Sequence, residues 1–353
     1  MPSVLSTALN ALLRIWRHSG TAIAMLVARL RAVLLRQPHY IREVISGDVD
    51  LQAATKVAVF AHYDVAGQVH GYVLQYLQGL SAAGYTIVFV ANSPLLSAAS
   101  RALLQPLVGA VLWRHNLGYD FGAYKDGIAH LGDLSRLEAL LIANDSTYGP
   151  FHQLSEQLDK LGPKVADVVA MTDSHELDYH LQSYFIVFYP VVLRHPAFLA
   201  FWQKLAYVNH KQYVIWVYEL GLTRLLVRLQ FRCQALFAYP DSARLVSQKL
   251  ALVDTSSAAF QARPEREQQL HHFLLQRLAA GRPVNALHFF WSELLVELRC
   301  PLLKRELLLS NPRDLPGLDR WREQLASVSS YDSALIDGHL AVLAERPVDG
   351  QAG

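Results

Sequence analysis

The sequence predicts an α/β fold built on a doubly wound parallel sheet. A helical C-terminal portion follows the sheet, and an amphipathic helical segment precedes it. Two observations predict this architecture. Between Lys56 and Trp113, short apolar runs alternate with stretches of helical spacing in the order strand, helix, strand, helix, strand. Polar residues then gather where the apolar runs end, which is where open α/β sheets bind ligands. Composition permits such a fold: 353 residues that are 52% apolar supply a sizeable core. A net charge of +2 argues against nucleic acid as a partner. The two cysteines, Cys233 and Cys300, have no metal-type spacing and read as buried thiols of a reducing compartment.

The chain divides into a basic segment at 1–50, a main domain at 51–312, and a C-terminal helix and tail at 313–353. Between Met1 and Ser46 six arginines face the single acid Glu43. Leu5, Leu9, Leu12 and Trp16 recur at helical spacing, as do Ile23, Leu26, Val27, Leu30 and Leu34. That pattern suits a helix lying in the interface of an anionic leaflet. It equally suits a helical hairpin packed on the main domain. No signal peptide is expected, because Arg14 and Arg17 follow the first apolar run instead of preceding it. No apolar run reaches the length of a membrane span.

In the main domain, Val57–Ala61, Thr86–Val90 and Ala110–Trp113 read as strands. The helices between them cover Gln68–Ala83, closed by Gly84, and Leu95–Leu107. Further apolar runs at Ala139–Ala143, Val168–Met171 and Tyr184–Phe188 read as strands four to six. Helical patterns then dominate: Val214 to Leu229, Arg263 to Gly281, and another from Asn285.

Candidate site residues follow from the strand ends. Asp64 comes after the first strand and Asn92 after the second. The third leads into a glycine-rich stretch holding Arg114, Asn116, Gly118, Asp120 and Lys125. Glycines let a backbone approach a ligand, and the two cations suit phosphate charge. No Walker loop and no G-x-G-x-x-G run is present. The fourth strand ends in Asn144-Asp145-Ser146, oxygen ligands suited to Mg²⁺ or Mn²⁺, although the same tripeptide is an ordinary turn. Glu176, His180, Gln182 and Ser183 are candidates for an acceptor sugar, or for a solvated loop. Glu219 lies in an otherwise apolar helical stretch, so its carboxylate should be paired, with Arg224 as partner, or have a raised pKa. That is also what a general base needs. His288 is the last candidate, as a core histidine or a ligand.

Taken in order, these motifs resemble the rhamnan synthesis protein F family of bacterial glycosyltransferases. The carriers are Arg114-x-Asn116-x-Gly118-Tyr119-Asp120-Phe121-Gly122-Ala123-Tyr124, Asn144-Asp145-Ser146-x-Tyr148-Gly149-Pro150 and Gln182-Ser183-Tyr184-Phe185. Tyr218-Glu219-x-Gly221-Leu222, Asn285 to Trp291 and Leu303-Lys304-Arg305-Glu306 complete the set. The resemblance implies a GT-A-like sheet that binds a nucleotide sugar, with L-rhamnose on dTDP as the expected donor. It implies a lipid-linked glycan, such as an O-antigen or rhamnan, as acceptor. It also implies other polysaccharide assembly enzymes as partners, and a cytoplasmic location on the inner face of the membrane. By the same resemblance Glu219 is the base of an inverting transfer. Asp64, Asn92, Arg114, Asn116, Gly118, Asp120, Lys125, Asn144, Asp145 and Ser146 hold the donor. Glu176, His180, Gln182 and Ser183 meet the acceptor. A divalent Mg or Mn would sit on Asp145, with His288 as a late ligand. The usual D-x-D pair is reduced here to one acid, which leaves open a second reading: a non-catalytic nucleotide-sugar or glycan-binding subunit. A small-molecule enzyme on a Rossmann sheet ranks last, because the first strand is followed by only one glycine.

Overall fold

The computed structural model describes residues 21–34 and 40–345. The apolar stripe at Leu5 to Trp16 and the tail 346–353 lie outside the described residues. All six apolar runs form strands. In chain order the strands are β1 (Ile41–Ser46), β2 (Lys56–His62), β3 (Thr86–Ala91), β4 (Ala110–Arg114), β5 (Ala139–Asn144), β6 (Thr147–Tyr148), β7 (Val168–Ser174), β8 (His180–Leu181), β9 (Phe185–Phe188), β10 (Cys233–Phe237) and β11 (Leu303–Lys304). The main sheet runs β1-β4-β3-β2-β5-β9-β7-β10, with β8 paired to β7, and β11 pairs separately with β6.

The expected all-parallel sheet is corrected to a mixed one. Strands β4, β3, β2 and β5 are mutually parallel, but β9 runs antiparallel between β5 and β7. The link from Ser174 to Phe185 holds only the short β8 and no crossover helix, so the chain can return only antiparallel. Five strands escape the sequence pattern: the two-residue β6, β8 and β11, and the edge strands β1 and β10. β1 falls inside the segment read as helical and caps the sheet edge antiparallel to β4, its exposed Arg42 and Glu43 shielding that edge. β10 joins the far edge parallel to β7.

Helices cover both faces of the sheet. Alternate residues of β2 divide between them: Ala58 and Phe60 join one core, Val57, Val59 and Ala61 the other. The first core receives Tyr72, Val73, Tyr76, Leu77 and Leu80 of the helix Gly71–Ala82. It also receives the C-terminal helices through Trp291, Leu294, Trp321 and Ile336. The second receives Phe121, Tyr124 and Ile128 of the helix Tyr119–Leu131. Gly127 of that helix lies so close to β2 that an added Cβ would stand 2.3 Å from a methyl of Val59. Met25, Ala28 and Ala32 seat the helix 21–34 on this same core.

Arg114 belongs to this framework. Expected at the donor diphosphate, it is instead fully buried at the end of β4. Its Nε donates to Asp126 at 2.6 Å, one terminal nitrogen to the Asn92 side-chain Oδ1 at 2.7 Å and the other to the Leu117 main-chain carbonyl at 2.9 Å. Asn92 is occupied with it, and the Tyr207 hydroxyl donates to the second Asp126 oxygen. The guanidinium therefore braces β3, β4 and the following helix against one another. Removing one partner of a buried ion pair costs roughly 3–5 kcal/mol. Asp126→Ala is expected to lower stability by about that amount in urea unfolding with an unchanged m-value, and Arg114→Met with Asp126→Leu to recover most of it.

Candidate functional site

The chain steps outward from β2 through β3 to β4, then returns to lay β5 on the other side of β2. Such a reversal opens a crevice beyond the carboxyl ends of the two strands. His62 and Asp145 meet there, Nδ1 to Oδ2 at 2.8 Å. Arg305 reaches the same oxygen at 3.3 Å, and the Tyr63 N–H donates to it at 3.4 Å. Arg305 also donates to the Tyr72 hydroxyl. Burial pushes the Asp145 carboxyl up, but Arg305 and His62 outweigh it and bring the group down to about 2.

This arrangement does not fit the expected metal. Asp145, the acid after β5, already faces a guanidinium and an imidazole. His288 faces Glu306 instead, Nε2 to Oε2 at 3.6 Å. Among the described residues no group of three or more metal-ligating side chains comes together.

Beside this ion cluster lies a cavity of about 360 Å³. A larger cavity, of about 660 Å³, lies between Gly79, Phe151 and Tyr331, but none of the candidate donor, acceptor, catalytic or metal residues lines it. The smaller one gathers nine of them. Asp120 enters from the start of the helix Tyr119–Leu131, and Asn144 and Ser146 from the end of β5. Glu176, His180, Gln182 and Ser183 come from the hairpin beyond β7, Glu219 from the helical layer, and His288 from the helix Ala286–Phe289.

Local geometry fixes these groups. Gly118 and Tyr119 both have left-handed backbone, φ 78° and 51°, and turn the chain sharply into the helix that carries Asp120. Asn144 donates to Asp120 at 2.7 Å and accepts from the Ser146 hydroxyl at 2.6 Å. Burial, and then the nearby Asp145 charge, raise the Asp120 carboxyl to about 6. Glu219 closes a π-helical segment, Val214–Glu219, a widened turn that is frequent at functional sites. Its Oε1 accepts from the Ser183 N–H at 2.9 Å and from the Ser183 hydroxyl at 2.7 Å. The expected partner Arg224 pairs instead with Asp178, at 2.9 Å. Gln182 accepts from Thr172 at 2.7 Å, His180 turns Nδ1 toward the Asp178 carbonyl, and Glu176 pairs with Arg313.

Sequence reasoning did not place Lys304 in the site. β11 pairs with β6 and sets its Nζ 3.1 Å from the Ser146 hydroxyl, on the cavity wall. Burial lowers its pKa, against the opposing pull of Glu219, Asp120 and Glu306. The run Leu303-Lys304-Arg305-Glu306 was its only signal.

The remaining donor candidates lie outside the cavity lining. Asp64 caps its own loop, accepting from the Ala66 and Gln68 N–H groups. Lys125 donates to the Gln203 and Leu205 carbonyls, and Asn116 and Gly118 bond to Asn209.

Two curated relatives match part of the chain. The uncharacterized protein y4gN of Sinorhizobium fredii is 31% identical over 190 residues, 52% of this chain and 49% of that protein. This chain thus spans about half the length of that relative. Virulence protein VirA of Vibrio anguillarum is 27% identical over 224 residues, covering 62% of this chain and 68% of that one. Among solved structures, a mannosyltransferase from Pyrobaculum calidifontis matches at 12% identity and a TM-score of 0.33, over 94% and 98% of the two chains. The glycosyltransferase GlyE of Streptococcus pneumoniae matches at 14% and 0.35, over 84% and 66%. Residues 87–255 match the Rhamnan synthesis protein F family, a span that takes in the motifs from Arg114 to Leu222 and not those from Asn285 onward.

Proposed function

We propose that this protein is an inverting glycosyltransferase that moves a sugar from a nucleotide-activated donor to a hydroxyl of a growing, lipid-linked surface glycan. The description of the matched family supports L-rhamnose as that sugar, and the motif resemblance suggests dTDP as its carrier. The observation that carries the reading is Glu219, held by Ser183 at the wall of a cavity beyond the strand ends and inside the family-matched segment. Ser183 occupies Oε1 alone, so Oε2 is left to take a proton.

In this mechanism Glu219 accepts the proton of the acceptor hydroxyl. That oxygen bonds to the anomeric carbon, and the bond from carbon to phosphate oxygen breaks with its electron pair on the leaving diphosphate. Lys304 supplies the positive charge that the leaving group needs. Asp120 and Asn144, linked to each other, bond sugar hydroxyls. The carboxylates of the cavity favour the oxocarbenium character of the transition state. No step passes through a metal ion.

The lysines at the cavity wall are outnumbered by carboxylates, Asp120, Glu176, Glu219 and Glu306 against Lys211 and Lys304. That balance favours a second reading, a subunit that binds a glycan and catalyses nothing. Measurable nucleotide release in the presence of acceptor separates the two.

The helix 21–34 supports a place at the inner membrane surface, beside other assembly enzymes. Ile23, Leu26, Leu30, Val33 and Leu34 are all at least 49% exposed, beside Arg29 and Arg31. Among the described residues no helix is long and apolar enough to cross a membrane.

Four outcomes are expected. Glu219→Gln should lower turnover by about 10²–10⁴-fold while dTDP-rhamnose affinity stays within about twofold. The ratio kcat/KM should fall as pH drops below about 6, as Asp120 takes up its proton, and Asp120→Asn should remove that limb. Donor affinity, read by calorimetry, should be the same in EDTA as in Mn²⁺, and Lys304→Met should weaken it roughly 10–100-fold. Sedimentation with vesicles containing anionic lipid should pull down the wild-type chain, and Leu26→Glu with Leu30→Glu should release it.

A further inference from the structure

Three helices meet at another pocket, of about 500 Å³, and each brings one cation to it. The helix 21–34 contributes Arg29, Pro196–Lys204 contributes Lys204, and Leu220–Arg228 contributes Arg228. Among the described residues no carboxylate lines this pocket. The charge is the reverse of that in the Glu219 cavity, where acids outnumber lysines. The two share one wall. Val214 and Glu219 of the π-helical segment line the cavity, and Val217 and Tyr218 line the pocket.

Among the described residues none of the three cationic side chains forms an ion pair or a hydrogen bond. Neither Lys204 nor Arg228 is needed to close the helix that it ends. Lys125 takes the Gln203 and Leu205 carbonyls, at 3.1 and 2.6 Å. The Leu225, Leu226 and Val227 carbonyls accept from the N–H groups of Leu229, Phe231 and Gln230. Three like charges held around one concavity repel one another, and an anion seated among them relieves that repulsion.

The rest of the pocket is apolar, with Phe201, Val217 and Leu225 on its lining. Leu26 and Val33 stand three residues before and four after Arg29, beside it on the helix surface. Each is 56% exposed. A small soluble anion would meet the cations and leave this apolar surface in water. A phosphate group that carries acyl chains covers both.

We infer that Arg29, Lys204 and Arg228 form a site for the phosphate headgroup of an anionic phospholipid in a bilayer. This rests on the proposed place at the membrane surface and deepens it by naming the lipid class and the pocket that recognises it. The helix 21–34 supplies apolar contact, and the pocket supplies selection for negative charge.

The test is sedimentation of the full chain with two kinds of vesicle, phosphatidylcholine alone and phosphatidylcholine mixed with phosphatidylglycerol. The wild-type chain should bind the mixed vesicles about tenfold or more tightly than the neutral ones. One basic group near an anionic surface contributes about fivefold, so Lys204→Gln with Arg228→Gln should lower that affinity roughly 25-fold. Both side chains are exposed and unpaired, so the fold does not depend on them. Exchanging the cations, Lys204→Arg with Arg228→Lys, should keep affinity within about threefold. Arg263 and Arg282 flank the helix Glu265–Ala279, which packs on the core of the opposite sheet face. Arg263→Gln with Arg282→Gln removes the same charge and should also stay within about threefold. Equal binding to both kinds of vesicle, or an equal loss in the Arg263 and Arg282 pair, overturns the site. Calorimetric binding of glycerol 1-phosphate or dTDP that the Lys204 and Arg228 pair abolishes makes this a soluble-phosphate site and overturns the lipid. Release by Leu26→Glu with Leu30→Glu, but not by the Lys204 and Arg228 pair, overturns the pocket and keeps the membrane placement. Absence of wild-type binding to every vesicle overturns both.

Discussion

The architecture of the site depends on one buried carboxylate. Asp145 sits at the reversal point of the sheet, where an ionised acid is tolerated only with partners. It takes His62 from the end of β2 and Arg305 from a segment far along the chain. Arg305 in turn reaches Tyr72, on the helix that follows β2. One charge thus ties the central strands to the C-terminal part of the molecule. The pairing of β11 with β6 is the backbone expression of the same tie, Leu303 opposite Tyr148 and Lys304 opposite Thr147. Neighbouring side chains of an extended segment point to opposite sides. Arg305 therefore closes on Asp145 while Lys304 stands on the cavity wall.

The central sheet was legible because its strands are apolar throughout. Buried on both faces, Val57–Ala61 and Ala139–Ala143 leave no alternative at their length. The edges were not. Cys233 to Phe237 is only half-buried, and Ile41 to Ser46 is mostly exposed, so neither shows the continuous apolar run that marks the interior strands. Gln37-Pro38 before β1 and the β-branched Ile41, Val44 and Ile45 were signals against a helix there. The antiparallel course of β9 was readable from the short link before it, had link length been weighed with the apolar run.

At the site, residue type was legible and commitment was not. Arg114 and Asn144 are both polar residues at strand ends. Only the fold shows that Arg114 spends all three nitrogen positions on Asp126, Asn92 and Leu117. Asn144 sits on the cavity and orients Asp120. Lys304 and Asn285 were missed as site residues for the converse reason. Their neighbours in sequence are apolar or already paired, and only β11 and the short helix Ala286–Phe289 bring them to a wall whose other residues lie mostly far back along the chain, from Tyr119 to Glu219.

The electrostatics of the cavity give this division a chemical sense. Carboxylates predominate, so a diphosphate drawn fully into it would face net repulsion. Lys304 stands beside Ser146 near the Asp145 cluster, and Arg305 lies behind it with its charge neutralised by Asp145. Lys304 therefore gives the cavity a cationic edge at Ser146, and Lys211 is a second cation on its lining. Under the proposed transfer, a nucleotide sugar has its phosphates at Lys304 beside Ser146 and its ring directed toward Asp120 and Glu219. In that orientation the positive charge that develops at the anomeric carbon meets the acidic interior, and the negative charge of the leaving group stays at the lysine. The excess of acids, unfavourable for holding the intact diphosphate, then favours its departure.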